Sequence, residues 1–156
     1  METLRKILVP TDLHPSSRGA VEVAISMARK YGATLVLLHV YAVPIYAFPD
    51  GALLSTASLA SELSNAAQLG LNRAALEFGG QGVNVVPVLR EGSAEDEILA
   101  VADEEGVDLI VVGTHGRHGL KRALLGSVAE SVLRDSKVPV MVVPISAAAE
   151  AARTNV

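Results

Sequence analysis

Short apolar runs alternate along this chain with segments in which apolar residues recur at every third or fourth position. Short runs are typical of buried strands, whereas the wider spacing places apolar side chains on one face of a helix. Strands are predicted over residues 6–10, 34–40, 83–89, 108–112 and 138–143. Helices are predicted between them, over residues 15–31, 59–78, 93–105 and 127–135.

This regular alternation of strand and helix predicts an α/β fold. Such chains form a parallel sheet with right-handed crossovers and helices on both faces. The unbroken apolar run at residues 34–40 is typical of a central strand that is covered on both faces. Pro87 predicts an edge position for the third strand, because proline has no N–H to donate to a ladder.

The same pattern predicts the domain organisation. We expect one domain over residues 1–146 and a loose C-terminal tail over residues 147–156. Residues 41–56, which contain Pro44, Pro49 and Gly51, are predicted to form a long loop.

Composition narrows the chemistry. The chain has 156 residues, 50% of them hydrophobic and 3% aromatic, and no cysteine, so thiol catalysis, disulfides and thiolate metal centres are excluded. The net charge of −4 provides no global basic field, and we expect no nucleic-acid partner. No apolar run approaches the roughly 20 residues of a membrane helix, so we expect no membrane association and a cytoplasmic location by default.

Two strand ends carry the candidate chemistry. Pro10, Thr11 and Asp12 follow the first strand, and a glycine-rich segment over residues 113–126 follows the fourth. Ligands of parallel α/β sheets bind beyond the carboxyl ends of the strands, where the winding direction reverses. If the first and fourth strands are neighbours, both segments face one crevice. Asp12 suits ribose hydroxyls there, and the helix that begins near Ser127 suits an anion.

The glycine spacing carries a resemblance. The chain contains Gly113, two residues, Gly116, nine residues, and then Gly126 followed by Ser127. This spacing resembles the nucleotide motif of the ATP-binding branch of the universal stress proteins. The resemblance spans residues 4–145 and includes Asp12 and the last strand. It implies a Rossmann-like, five-stranded parallel sheet with strand order 3-2-1-4-5, and a nucleotide-dependent sensor or regulator of the stress response.

The resemblance also implies a ligand and a partner. The ligand would be ATP with Mg²⁺, with Asp12 at the ribose or adenine edge and the backbone of Val40 at adenine. The implied nucleotide-binding residues are Pro10, Thr11, Asp12, Val40, Gly113, Thr114, Gly116, Arg117, Gly126, Ser127, Val128 and Ala129. The last strand, from Val138 to Val143, is apolar and predicted at the sheet edge, where family members form two-fold dimers. The identity of a protein partner and of any metal ligand stays open.

Simpler interpretations remain for several of these residues. Asp12 is also a suitable cap for the first helix, and Ser127 starts a capping-box pattern with Glu130. The glycines fit a merely flexible loop. The basic cluster of Arg117, Lys121 and Arg122 fits either phosphate screening or a solvated face. His39 is predicted to pack in its strand.

The functional alternatives follow from the missing catalytic motifs. The chain has no P-loop lysine, so binding is favoured over fast hydrolysis and no catalytic residue is assigned. A slow ATPase or an autophosphorylating phosphotransferase, with Thr114 or Ser127 as acceptor, is the second hypothesis. An interaction module with a purely structural nucleotide is the third.

Overall fold

The computed structural model describes residues 3–47, 49–50, 53–54, 57–114 and 125–144. The strands are β1 (Lys6–Pro10), β2 (Thr34–Tyr41), β3 (Tyr46–Ala47), β4 (Leu53–Leu54), β5 (Val85–Glu91), β6 (Leu109–Gly113) and β7 (Val140–Val143). The helices are α1 (Arg18–Tyr31), α2 (Ala57–Gly79), α3 (Ala94–Glu105) and α4 (Ser127–Asp135), with a 3₁₀ turn at Pro15–Ser17 before α1.

Five of the strands form one parallel sheet in the order β5-β2-β1-β6-β7. This order confirms the predicted arrangement 3-2-1-4-5, because β5, β6 and β7 are the third, fourth and fifth predicted strands. The winding direction reverses between β1 and β6, so the carboxyl ends of these two strands flank the expected binding crevice.

Two apolar layers cover the sheet. Ile7 and Val9 of β1 face the side of α1 and α2, whereas Leu8 faces the side of α3 and α4. All three side chains are 0% exposed. The central strands are therefore covered on both faces, as their unbroken apolar sequence predicts. No helix among the described residues is both long enough and apolar enough to cross a bilayer.

Two cap predictions are confirmed at helix ends. The Ser93 hydroxyl oxygen accepts the N–H of Asp96 at 3.3 Å and donates to the Asp96 carboxylate at 2.8 Å. This reciprocal pair satisfies one of the orphan N–H groups at the start of α3. Gly32, which ends α1, adopts the left-handed conformation at φ +67°.

The structure corrects the prediction of an irregular segment over residues 41–56. That segment contains β3 and β4, an antiparallel pair in which Tyr46 lies opposite Leu54 and Ala47 opposite Leu53. Each strand has two residues, which is too short to produce a recognisable alternation of polar and apolar positions. The predicted tail at residues 147–156 lies outside the described residues.

The last strand is also shorter than predicted, because it begins at Val140 instead of residue 138. The Val138 N–H donates to the Ser136 hydroxyl, and that hydroxyl donates to the Val138 carbonyl. These two bonds hold Val138 in the turn that follows α4, so it is not available to the sheet.

Pro87 lies in the edge strand β5, which confirms the prediction made from its missing N–H. The Leu35 N–H donates to the Asn84 carbonyl, and the Gly92 N–H donates to the Tyr41 carbonyl. Backbone groups alternate in direction along a strand, so the even-numbered residues of β5 point to β2 and the odd-numbered ones point outward. Pro87 therefore removes no ladder bond and leaves one outward donor missing.

Asp108 joins β1 to β6 at the amino ends of these strands. Its carboxylate oxygen Oδ2 accepts the N–H groups of Arg5 at 2.8 Å and Lys6 at 2.9 Å, and its own N–H donates to the Lys6 carbonyl. The two N–H groups hold the pKa of Asp108 below its ordinary value. This carboxylate therefore fixes where β6 starts relative to β1.

We expect Asp108→Asn to lower the free energy of unfolding by about 1–2 kcal/mol near pH 7, because it weakens two bonds to a charged acceptor. The pKa is lowered in the folded state, so the carboxylate stabilises the fold above the pKa of the unfolded chain. That contribution is lost as the pH falls through the lowered folded-state pKa. Urea unfolding of both proteins from neutral to acidic pH measures the difference.

Asp135→Asn is the matched control, because this carboxylate is exposed and pairs only with its neighbour Arg134 among the described residues. Exposed pairs contribute little. A difference between wild type and Asp108→Asn that stays constant down to strongly acidic pH would contradict the assigned role.

Candidate functional site

A crevice opens where β1 and β6 stop pairing. The two strands are in register at Ile7 with Leu109 and at Leu8 with Ile110. The Lys6 carbonyl accepts the Asp108 N–H, so the even-numbered residues of β1 point to β6. Pro10 occupies the next such position after Leu8, and it has no N–H to give. The sequence therefore ends the β1–β6 ladder at the carboxyl side of the sheet.

Asp12 follows directly and forms a tight turn. Its Oδ1 atom accepts the N–H of His14 at 2.9 Å, which is an Asx turn. Its Oδ2 atom is buried and has no hydrogen-bond partner among the described residues. A buried carboxylate oxygen without a partner costs free energy, so this atom is a candidate contact for a ligand donor.

The capping interpretation of Asp12 is wrong. The residue before the 3₁₀ turn is His14, the residue before α1 is Ser17, and neither helix start has a side-chain cap bond. The Asx turn uses Oδ1 locally and leaves Oδ2 outside the helix geometry.

Thr11 holds the turn from inside. Its backbone N–H donates to the Leu38 carbonyl at 2.8 Å, and its hydroxyl oxygen accepts the Leu13 N–H at 3.0 Å. The same hydroxyl lies 2.8 Å from the Ser17 hydroxyl, which donates to the His14 carbonyl. Thr11 is 8% exposed, and its side chain is engaged within the turn.

Leu13 adopts a left-handed backbone at φ +63° and is the one non-glycine residue with positive φ in the described part of the chain. This conformation costs a residue with a Cβ about 1–2 kcal/mol. The strain lies between Asp12 and His14, the two residues that the Asx turn connects. No sequence pattern predicts this left-handed backbone, because leucine is not a residue typical of the conformation.

His39 supports the turn from the neighbouring strand. His39 lies in the inner strand β2, its ring is partly buried, and its Nδ1 lies 2.8 Å from the Thr11 carbonyl oxygen. In the tautomer that carries a proton on Nδ1, the ring donates to this carbonyl. In a continuing ladder, the Val40 N–H would donate to the Thr11 carbonyl, and the His39 ring takes its place at this acceptor.

Val40 consequently presents its backbone to the crevice. The Thr34 N–H donates to Arg5 and the Leu38 carbonyl accepts from Thr11, so the even-numbered residues of β2 point toward β1. At Val40 the chain of β1 has already turned away at Asp12. The Val40 side chain packs on the layer formed with α3 and α4.

The other wall of the crevice begins at the end of β6. The Ile110 and Thr114 N–H groups donate to carbonyls of the chain segment that forms β7, so Gly113 between them points its backbone toward β1. The Thr114 carbonyl accepts the Gly126 N–H at 2.6 Å. This bond places the start of α4 beside the end of β6.

The start of α4 corrects the prediction for Ser127. Gly126, in an extended conformation, is the cap residue, and its carbonyl accepts the Glu130 N–H at 2.9 Å. Ser127 is therefore the first helical residue, and its hydroxyl makes no cap bond. Among the described residues no side chain caps the N–H groups of Ser127, Val128 and Ala129, which also lack intrahelical acceptors.

The remaining predicted site residues are not all placed. Gly116 and Arg117 lie outside the described residues, as do Lys121 and Arg122 of the basic cluster. Among the residues that are described, no group of three or more His, Asp or Glu side chains is arranged to hold a metal ion. In its described part, the candidate site contains one carboxylate and several backbone groups.

Comparisons with known proteins agree with this fold. The model of the universal stress protein family matches residues 3–144. Universal stress protein MJ0531 of Methanocaldococcus jannaschii is 36% identical over 141 residues, which cover 89% of this chain and 81% of that protein. The structure of MJ0577 from the same organism is 28% identical, has a TM-score of 0.77 and is matched over 93% of this chain and 99% of its own.

A third relative was solved with a ligand. The structure of a universal stress protein in complex with cAMP is 27% identical, with a TM-score of 0.69. The match covers 93% of this chain and 100% of that one.

Proposed function

Because this chain belongs to the universal stress protein family, we propose that it binds an adenine nucleotide in the crevice between β1 and β6. The ligand we propose is ATP with Mg²⁺, and the role is that of a nucleotide-dependent regulator in the stress response. The observation that carries the proposal concerns both walls: within the described ranges, the buried Asp12 Oδ2 has no hydrogen-bond partner and no side chain caps the start of α4.

The two walls of the crevice offer different hydrogen-bonding groups to one ligand. Asp12 Oδ2 requires a hydrogen-bond donor, and ribose hydroxyls are donors of that kind. The N–H groups of Ser127, Val128 and Ala129 require an acceptor, and the positive end of the helix dipole favours an anion. A nucleotide carries both features, since its ribose donates and its phosphates accept.

The adenine ring fits the remaining wall. The Val40 backbone N–H and carbonyl point toward the crevice, and an adenine edge offers a matching donor and acceptor. A relative at 27% identity was solved in complex with cAMP, which is also an adenine nucleotide. Mg²⁺ would remain mostly hydrated and held by the phosphates, as is usual for this ion.

The proposed regulatory role rests on the chain next to the proposed phosphate contacts at Gly113 and Ser127. Thr114 and Gly126 are joined by a hydrogen bond and flank residues 115–125 in the sequence. A ligand that contacts Gly113 and Ser127 therefore acts on the backbone at both ends of that segment. In the proposed role, binding and release of the nucleotide would act on the backbone of Thr114 and Gly126, which are described, whereas residues 115–124 lie outside the described ranges.

The ribose contact is tested with Asp12→Asn. The amide keeps an oxygen for the His14 N–H and replaces the buried acceptor by a donor, so we expect ATP·Mg affinity to fall about tenfold or more. Isothermal titration of wild type and variant measures the affinities. Asp135→Asn, at the far end of α4, is the matched control and should bind like wild type. Equal affinity of all three proteins would contradict the Asp12 assignment.

The phosphate contact is tested with two substitutions at Ser127. Ser127→Ala removes the hydroxyl and keeps the N–H, whereas Ser127→Pro removes both at a first helical position that accepts proline. We expect Ser127→Pro to bind ATP·Mg at least about threefold more weakly than Ser127→Ala, because the N–H groups hold the phosphates. Circular dichroism confirms that α4 is intact. Identical affinities would remove this N–H from the site.

We further propose a homodimer through β7. β5 and β7 are the outer strands of the sheet in the described part of the chain, but Pro87 removes an outward donor from β5. In β7 the outward positions are Val140 and Val142, because Ile110 and Thr114 bond to Pro139 and Val143. Neither outward residue is proline, so β7 is the edge that retains a full set of donors and acceptors.

Val142→Pro tests this interface. The proline removes an outward N–H and no bond to β6, so we expect the dimer to weaken while the fold persists. Val142→Thr keeps the N–H and the side-chain shape and serves as the control. Light scattering coupled to size exclusion over a dilution series measures the mass. A wild type that is monomeric at every concentration would contradict the proposed dimer.

A further inference from the structure

Gly70 lies near the middle of α2, where glycine is costly for a helix. A Cβ atom built at Gly70 would lie 2.7 Å from the Cδ1 atom of Leu13, which is closer than two carbon atoms can approach. The end of the Leu13 side chain therefore occupies the space that a side chain at position 70 of α2 would need.

Other helical glycines do not share this feature. A Cβ at Gly19 in α1 or at Gly79 at the end of α2 would meet nothing within 4 Å. The close approach at Gly70 is thus a property of its contact with Leu13 and not of helical glycines in this fold.

Leu13 occupies a strained position in the Asp12 turn. Its left-handed backbone lies between the two ends of the Asx turn, and its N–H donates to the Thr11 hydroxyl. A strained conformation persists only where the surroundings hold it. Hydrogen bonds of Thr11, Asp12 and His39 hold the turn to itself and to β2, whereas the Leu13 side chain connects it to α2.

We propose that Leu13 and Gly70 are positioning residues for the Asp12 carboxylate. Seating of Leu13 on Gly70 keeps the backbone of residue 13 left-handed, and this orientation keeps Asp12 Oδ1 on the His14 N–H and Oδ2 toward the ligand. The positioning itself is a property of the ligand-free protein; its effect on affinity rests on the nucleotide site proposed above.

The experiment uses three variants that alter one contact. Gly70→Val fills the space that Leu13 occupies, Leu13→Ala removes the side chain that fills it, and the double variant approximately restores the combined volume. Gly19→Val introduces the same side chain into α1, where it meets nothing, and controls for helix propensity. Two quantities are measured for each protein: hydrogen exchange of the Leu13 and His14 amides by NMR without ligand, and affinity for ATP·Mg.

We expect Gly70→Val and Leu13→Ala each to exchange these two amides faster and to bind ATP·Mg about tenfold more weakly, the size of coupling found between touching residues. The double variant should recover both quantities to within about threefold of wild type. Gly19→Val should leave both unchanged. A role limited to general stability would speed exchange of amides throughout the chain and not selectively at Leu13 and His14.

The outcomes separate this inference from the proposed function. If wild type binds no ATP·Mg, the proposed function fails, and the two amides alone decide the positioning. If Gly70→Val does not fold, Leu13→Ala carries the same test. Wild-type exchange in both single variants, or a double variant no better than either, overturns the inference.

Discussion

The structure depends on the pairing of β1, which is hydrogen-bonded to β2 on one side and to β6 on the other. Both pairings end within three residues of each other. Asp108 fixes the start of this pairing by accepting the N–H groups of Arg5 and Lys6. Pro10 ends it on the side of β6, and the bond from Thr11 to Leu38 is the final one on the side of β2. Asp12 is therefore the first residue after β1 whose backbone direction is not fixed by a hydrogen bond to a neighbouring strand. A site at this point costs the sheet nothing.

The turn at Asp12 stores unfavourable free energy that the core offsets. Leu13 is strained and Asp12 Oδ2 is buried without a partner among the described residues, and each feature costs on the order of 1–3 kcal/mol. Ile7, Leu8 and Val9 immediately before the turn are fully buried, and each contributes roughly 1.5–3 kcal/mol by burial of its side chain. A fully buried strand segment thus directly precedes the strained turn and holds Asp12 in place.

The sequence predicts those parts of the molecule that follow from continuous patterns. Five apolar runs predict the five strands of the parallel sheet. Pro87 predicts an edge strand because it lacks an N–H, and Ser93 predicts a helix start because its hydroxyl accepts an N–H. Strands of two residues leave no pattern, so β3 and β4 are missed. The prediction that Ser127 is the cap residue is wrong, because Gly126 also suits the cap position. The hydrogen bond between Gly126 and Thr114 is a tertiary contact. Leu13 and Gly70 are distant in sequence, and only the packing of α2 against the turn brings them together. The ligand contacts themselves remain predictions.

The candidate site, as far as it is described, offers one carboxylate and otherwise backbone groups. Backbone donors are only as well oriented as the elements that carry them, so the site requires fixed relations between β1, β2, β6 and α4. Thr114 supplies one of these relations, because it bonds to Val143 of β7 and to Gly126 before α4. Thr114 therefore joins the end of β6 to β7 and to the residue before α4. In the proposed nucleotide site, this junction would fix the orientation of the N–H groups at the start of α4 relative to the backbone of Gly113.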